Sequence, residues 1–200
     1  MVPTMPFRLV LASGSVGRRE LLRQAGYTFD IQAANIDEPT EAINGDIRGY
    51  VHHVSWSKNA AVTPTIDGPA VVVSADTVGW LDGHVIGKPD DRDHARRIIE
   101  SLSGRIHELW TGVCVWHRPS DRQICWQERS LVEMRLLGEA EIEAYLDTRQ
   151  WEGCSGAYAI RDHDDPFLTI VEGSLSNVIG LPMESLAEVL RQVSTTFGDR

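Results

Sequence analysis

The sequence has few of the features that mark secreted, membrane or zinc-binding proteins. Only three cysteines occur in 200 residues, Cys114, Cys125 and Cys154, and no two of them form a CxxC pair. Such an odd and sparse set favours a reducing compartment and predicts no zinc site. No apolar run approaches the roughly 18 residues of a membrane-spanning helix, and the first residues lack the charged start and apolar core of a signal peptide. We therefore expect a cytoplasmic protein.

Basic residues are fewer than acidic residues. The chain has 19 Lys and Arg against 29 Asp and Glu, for a formal net charge of −10 at pH 7. General nucleic-acid binders carry basic patches, so this balance predicts no nucleic-acid partner. An anionic small molecule is still compatible with it, because a few local basic groups and a metal ion can hold phosphates against the overall sign. The length predicts a single domain over residues 1–200.

Several widespread catalytic patterns are missing as well. The seven histidines are scattered without HxxxH or HxH spacing, which argues against a zinc centre. The chain has no GxSxG elbow, so Ser-His-Asp catalysis has no support. It also has neither a Walker A loop nor GxGxxG.

Strand-like and helix-like segments alternate along the chain. The hydrophobic periodicity and the glycine, proline and Asp-Gly turn signals predict an α/β fold with a mixed sheet. Predicted strands cover residues 7–13, 28–34, 70–76, 83–89, 106–118, 123–137, 156–160 and 167–173. Predicted helices cover residues 17–27, 46–62, 90–104, 139–150 and 182–193.

One candidate binding element is the stretch LASGSVGRRELL, residues 11–22. A strand runs into Ser13, Gly14 and Ser15, and a helix begins shortly afterwards, so backbone N–H groups, hydroxyls and the positive helix end converge as they do around an anion. Arg18 and Arg19 in the first turn oppose the helix dipole, and an anionic ligand would offset that cost. A plain strand-to-helix turn with solvated arginines is the alternative.

A second candidate is Lys58, which continues the apolar stripe of Ile47, Val51 and Val54 along one helix face. A lysine on an inward face needs an anionic partner or a route to water. Spacing alone does not separate such a pairing from snorkelling near the helix end.

The third candidate is a set of acids, Asp37 and Glu38 in NIDEPT and Asp76 in SADT. Hydrolysis of a phosphoanhydride needs a metal to screen oxygens and a group that activates water, which convergent carboxylates provide. Asp76 is predicted at the carboxyl end of a buried strand, where α/β sheets place ligands, and the hairpin brings Lys88 beside it. The alternative is that Asp76 only caps a turn with Thr77.

Together the segments LASGSVGRRELL, IDE, SADTVGWLDGHVIGKP, LSGRIHELWTGV, GAYAI and NVIGLPMESL resemble the Maf-type nucleoside triphosphate pyrophosphatases, across about residues 8–192. The resemblance implies a long curved mixed sheet flanked by helices, related to the ITPase-like enzymes, and usually a homodimer. It also implies cleavage of a nucleoside triphosphate between the α and β phosphates, with Mg²⁺ or Mn²⁺ as cofactor and a role in cleaning nucleotide pools.

The resemblance also implies roles for individual residues. Asp76 would be the catalytic acid that accepts a proton from the attacking water, and Glu38 would join it in handling metal and water. The triphosphate would be held by a set of hydroxyl and basic side chains: Ser13, Ser15, Arg18, Lys58 and Lys88.

Three positions bear on which base is preferred. Thr77 matches the dTTP/UTP type, whereas Gly17 replaces an arginine and Arg161 replaces a glutamine of that type. An arginine only donates hydrogen bonds, so Arg161 would read a base edge rich in acceptors or reach a phosphate instead. Arg19 is a candidate substitute for the arginine lost at Gly17. The alternatives are an ITPase-like enzyme for modified purine nucleotides and a non-catalytic nucleotide-binding regulator of cell division.

Overall fold

A mixed β-sheet organises the chain in the computed structural model, which describes residues 7–160 and 165–197. Within these residues the sheet has seven strands in the order β2-β1-β3-β5-β6-β7, and β4 pairs with β3. β1 runs parallel to β2 and β3, and every other pairing is antiparallel. The strands are β1 (Arg8–Leu11), β2 (Asp30–Ile31), β3 (Ala70–Leu81), β4 (His84–Ile86), β5 (Arg105–Arg118), β6 (Arg122–Met134) and β7 (Leu168–Glu172).

Helices accompany this sheet, so the predicted α/β class with a mixed sheet is confirmed. They are α1 (Val16–Gln24), α2 (Ile47–Val62), α3 (Arg92–Leu102), α4 (Glu139–Asp147), α5 (Leu175–Ile179) and α6 (Met183–Phe197). Several begin at a residue whose side chain accepts a hydrogen bond from a backbone N–H of the first turn, as Ser15, Asp46 and Asp91 do. None of the helices in the described part of the chain combines the length and apolar character needed to cross a membrane.

Helix α2 lies unusually close to the sheet. A Cβ atom added at Gly112 of β5 would lie 2.1 Å from the carbonyl oxygen of Val51, so only glycine permits this approach. The Asn59 amide then donates to the carbonyl oxygens of Val72 on β3 and Cys114 on β5, at 3.0 and 2.9 Å. The helix is therefore fixed directly above the two central strands.

Strand β3 corrects the prediction that Asp76 ends a strand. β3 continues for five residues beyond Asp76 to Leu81, and Asp76 pairs with Gly112 in the middle of the β3–β5 ladder. The continuation contains Thr77, Val78 and Trp80, residue types that suit a half-buried strand. Asp76 is thus carried by the interior of a central strand rather than by a strand end.

Other predicted boundaries were also wrong. Residues 156–160 form no strand, because Gly156 and Ala157 take left-handed backbone angles (φ 77° and 53°) that interrupt an extended chain. The strand predicted over residues 28–34 shrinks to the two residues of β2, and α5 was not predicted at all. A five-residue helix is too short to show a helical period.

Candidate active site

The centre of the site is a cluster of one lysine and two carboxylates, of which the lysine and one carboxylate are buried. The Nζ atom of Lys58 lies 2.7 Å from Oδ1 of Asp76 and 2.9 Å from Oε1 of Glu38. Lys58 and Asp76 are only 8% and 4% exposed, whereas about a third of the Glu38 side chain reaches solvent. Lys58 and Asp76 depend on each other, because removing either one would leave an unpaired buried charge that destabilises the fold.

The elements that carry the cluster explain how it assembles. Asp76 lies mid-way along β3, and the close contact of α2 with the sheet places Lys58 directly above it. The inward stripe of Ile47, Val51 and Val54 does continue onto Lys58, as the periodicity predicts. Of the two interpretations of Lys58, the structure therefore shows the anionic partner and not snorkelling. Asp37, the neighbour of Glu38, forms no ion pair with a described basic residue.

One oxygen of Asp76 is left without a partner. Oδ2 is buried and accepts no hydrogen bond within the described residues. No cluster of three or more metal-binding side chains occurs in this described part of the chain. Mg²⁺ characteristically uses one or two carboxylates and completes its shell with water and substrate phosphates. Asp76 and Glu38 therefore fit a metal ion that is held jointly with a phosphorylated ligand.

Arg18 forms a second buried basic centre beside the first. Its Nε donates to the carbonyl oxygen of Gly180 at 2.7 Å, and its two terminal nitrogens donate to Oγ of Ser13 and Oγ1 of Thr77 at 3.0 and 3.1 Å. Burial lowers the pKa of Arg18 from its ordinary value, while the negative charges of Asp76 and Glu38 act in the opposite direction. The guanidinium is thus held by hydrogen bonds to neutral oxygens, and it interacts with the charges of Asp76 and Glu38 only at longer range.

The hydroxyl groups of Ser13 and Ser15 in the predicted phosphate-binding turn already accept hydrogen bonds from within that turn. Ser13 Oγ accepts from the Ser15 N–H at 3.2 Å and from Arg18, and Ser15 Oγ caps α1 by accepting from the Arg18 N–H at 3.4 Å. Thr77 connects this turn with the acid cluster, because it contacts Arg18 and follows Asp76. The strand-to-helix turn therefore adjoins the cluster through Thr77.

A cavity of about 520 Å³ opens onto the acid cluster. The sequence-predicted residues Glu38, Asp76, Thr77 and Lys88 all line it. Lys88 is exposed and has no described carboxylate within 4.0 Å. Its side chain is thus available to an anionic ligand.

Sequence reasoning missed three other residues that line this cavity, Tyr50, His94 and Arg97. Tyr50 lies on the apolar face of α2 and therefore looks like a core residue. Arg97 is exposed on α3 and, like Lys88, has no described acid within 4.0 Å. A signal for Arg97 did exist, since α3 begins soon after Lys88 and its first turns must border the same space.

Residues 8–193 match the family model described as Maf-like protein. The chain belongs to this family. A dTTP/UTP pyrophosphatase of Anaeromyxobacter is 43% identical over 191 residues, covering 94% of this chain and 90% of its own. The dTTP/UTP pyrophosphatase of Rhodopirellula baltica is 38% identical over 186 residues, covering 92% and 82%. That of Pelotomaculum thermopropionicum is 37% identical over 184 residues, covering 92% and 95%.

A solved structure gives a much weaker match. The nucleoside-triphosphatase / dITP/XTP pyrophosphatase of Mycobacterium abscessus covers 95% of this chain and 98% of its own, at a TM-score of 0.40 and 9% identity. A likeness of this size does not establish a shared fold. The relation of the sheet to the ITPase-like enzymes therefore stays an expectation of the Maf resemblance.

The positions linked to base preference differ in what surrounds them in this Maf protein. A Cβ at Gly17 would lie 2.8 Å from Cγ2 of Ile179, so a side chain there would require Ile179 or the packing of α1 against α5 to shift. Arg19 is half-buried, and its Nε has no partner among the described residues. Arg161 lies outside the described residues. Close packing of α1 against α5 thus gives a structural reason for glycine at position 17.

Proposed function

We propose that this Maf protein hydrolyses a nucleoside triphosphate to the monophosphate and pyrophosphate. The observation that carries the proposal is the cluster of buried Lys58 and Asp76 with exposed Glu38, at the edge of a cavity where Lys88 and Arg97 have no acidic partner among the described residues. Acids that handle water and cations that hold phosphates are what this reaction requires. Relatives that are 37–43% identical over nearly the whole chain carry the name dTTP/UTP pyrophosphatase.

In the proposed reaction Asp76 acts as the base. Lys58 holds Oδ1, so Oδ2 is the oxygen that accepts a proton from the attacking water. The water oxygen bonds to the α phosphorus as the bond to the bridging oxygen of the β phosphate breaks, and pyrophosphate leaves with the electron pair of that bond. One triphosphate and one water thus give one monophosphate and one pyrophosphate.

A divalent cation, Mg²⁺ or Mn²⁺, is part of the proposal. Asp76 and Glu38 would hold it together with the phosphates of the substrate, and it would neutralise charge on the phosphate oxygens. The partly exposed carboxylate of Glu38 supports this assignment, and Asp76 would reach the ion through Oδ1, since Oδ2 is the proposed base.

The phosphates themselves would be held by Arg18, Lys88 and Arg97, with Ser13 and Ser15 shaping the turn beside them. Lys58 takes a different part from the one the family resemblance implies, because its ammonium is already shared between two carboxylates. Lys58 would orient the two acids. It would contact a phosphate only when its ion pair with Glu38 breaks. Thr77 and Arg161 are the proposed determinants of base preference, which we expect to favour dTTP and UTP.

The remaining expectations concern the setting of the enzyme. We propose a cytoplasmic homodimer that removes unwanted nucleotides from the precursor pool. Light scattering of the purified protein across a range of concentrations tests the dimer.

The decisive experiment is a product analysis over a panel of triphosphates with Mg²⁺. We expect monophosphate and pyrophosphate in equal amounts from dTTP and UTP, and no nucleoside diphosphate. Omitting the metal and adding a chelator should abolish release. Accumulation of a diphosphate and orthophosphate would instead locate attack at the γ phosphate and contradict the proposal. A preference for 7-methyl-GTP or for dITP and XTP would keep the reaction but overturn the pyrimidine assignment.

A further inference from the structure

Tyr50 connects helix α2 to the loop that carries Glu38. Its phenolic Oη donates a hydrogen bond of 2.6 Å to the carbonyl oxygen of Pro39, the residue next to Glu38. Tyr50 is 9% exposed and lines the cavity together with Glu38 and Asp76. The hydroxyl thus fixes the backbone beside a site carboxylate without touching that carboxylate.

The Glu38 loop has few other restraints. Residues 32–39 have no regular secondary structure, and Ile36 and Ala42, which flank Glu38 in sequence, pack against the apolar cluster that contains Tyr50. The other polar tether of Glu38 is its own bond to Lys58. That tether uses the carboxylate, so a metal ion or a phosphate entering the site competes with it. The Tyr50 bond uses only the main chain and persists when the carboxylate changes partners.

The donor in this contact keeps its proton over the whole working range of an enzyme. Burial raises the pKa of Tyr50 to about 12, and the negative charges of Asp76 and Glu38 add to the rise. The phenol of Tyr50 is therefore neutral and a hydrogen-bond donor at every physiological pH.

We propose that Tyr50 is a positioning residue for the reaction and acts through Glu38. It holds the Glu38–Pro39 segment at the edge of the cavity while the Glu38 carboxylate exchanges Lys58 for a metal ion or a water molecule. The inference rests on the proposed pyrophosphatase function and adds a residue to its machinery. Misplacement of a site group by about 1 Å is enough to slow a reaction by up to about 100-fold.

Tyr50→Phe tests the proposal because it removes only the hydroxyl. We expect kcat for dTTP or UTP with Mg²⁺ to fall about tenfold while KM changes by less than about twofold, since the phosphate-binding cations are untouched. The matched control is Tyr27→Phe. Tyr27 is also a buried tyrosine, but it packs in the apolar cluster under α1, away from the cavity, so its variant should keep full activity.

A double-mutant cycle with Glu38→Gln separates positioning from general destabilisation. If Tyr50 acts through Glu38, then adding Tyr50→Phe to the Glu38→Gln enzyme should cause little further loss of kcat. An equal tenfold loss in both backgrounds would overturn the inference, as would a Tyr50→Phe enzyme with wild-type kcat.

Hydrogen exchange gives a readout that does not depend on activity. Tyr50→Phe should speed amide exchange in residues 36–42, whereas Tyr27→Phe should not. Unchanged exchange in that loop would also overturn the inference. If the wild-type protein releases no pyrophosphate from any triphosphate, then the proposed function fails, and the exchange experiment still decides whether Tyr50 holds the loop.

Discussion

Lys58 and Arg18 are two equally buried cations with opposite kinds of partners. Each is 8% exposed, and Thr77, the neighbour of Asp76, contacts Arg18. Lys58 shares its ammonium between two carboxylates, whereas Arg18 donates to a carbonyl and two hydroxyls. The family resemblance assigns both to the triphosphate, but the structure gives them different surroundings.

This difference in partners indicates which ligand each cation can bind. The charge of Lys58 is already matched at short range, so its first task is to hold Asp76 and Glu38 together. The guanidinium of Arg18 is placed by neutral oxygens and its charge is matched only at a distance, so an incoming phosphate would gain more from Arg18 than from Lys58. We therefore propose that Lys58 is the orienting cation and Arg18 the binding cation.

Removing the acid of the Lys58 cluster should have the largest effect. Asp76→Asn keeps the shape of the side chain but provides no proton acceptor of comparable basicity, so kcat should fall by about 10²-fold or more. Steady-state pyrophosphate release measures this. Asp82→Asn is the matched control, because it makes the same change in an exposed hairpin turn whose left-handed φ of 52° suits asparagine. Activity within a few-fold of wild type in Asp76→Asn would remove Asp76 from the mechanism.

Removing the orienting cation should cost stability as well as activity. Lys58→Met leaves the buried Asp76 carboxylate without its counter-charge, and breaking such a pair costs about 3–5 kcal/mol of unfolding free energy. Urea denaturation measures the loss. The double variant Lys58→Met, Asp76→Asn should recover part of it, since the buried charge is then gone. A double variant less stable than Lys58→Met would mean that the ion pair is not the source of the loss.

His107 is a third buried basic side chain and lies outside the candidate site, so it can be compared with Lys58 and Arg18. Among the described residues, His107 on β5 has no acidic partner and its Nδ1 has no hydrogen-bond partner. Burial lowers the pKa of His107 to about 4. In the unfolded chain His107 takes up a proton near pH 6.5, whereas in the folded chain it stays neutral until about pH 4. The contribution of His107 to the free energy of unfolding is therefore unchanged above about pH 6.5. As the pH falls towards 4, the folded state loses up to roughly 3 kcal/mol of stability.

Urea denaturation at pH 7.5 and 4.5 measures this loss, with His107→Gln as the comparison. The variant should lose less stability than the wild type between the two pH values, because the titrating group is gone. Equal losses in the two proteins would show that other groups carry the pH dependence.

Changing the binding cation should have the smallest effect. Arg18→Lys keeps the charge but loses the fork that contacts Ser13, Thr77 and Gly180 together. We expect KM for the triphosphate to rise about tenfold with a smaller change in kcat. Arg23→Lys, an exposed change in the last turn of the same helix, is the control. A fall in kcat without a rise in KM would assign Arg18 to the same orienting role as Lys58.

Several features of the site follow from local sequence. The apolar stripe of α2 ends on Lys58 at the right spacing, and the Asp82-Gly83 turn returns the chain so that Lys88 borders the same cavity as Asp76. The extent of β3 does not follow in this way. Residues 77–80 are extended because they pair with β5, and those partners lie some 30 residues further along the chain.

The sequence by itself determined the α/β class, the Asp82-Gly83 hairpin and the membership of the Maf family, because short-range periodicity, turn residues and whole-chain similarity carry that information. Only the tertiary structure decided that Lys58 holds both acids, that Arg18 rests on neutral oxygens, and that Tyr50 and Arg97 join the site. Each of these depends on which elements pack together and how closely. That is set by long-range contacts such as the approach of α2 to Gly112, and neighbouring residues in the chain do not reveal it.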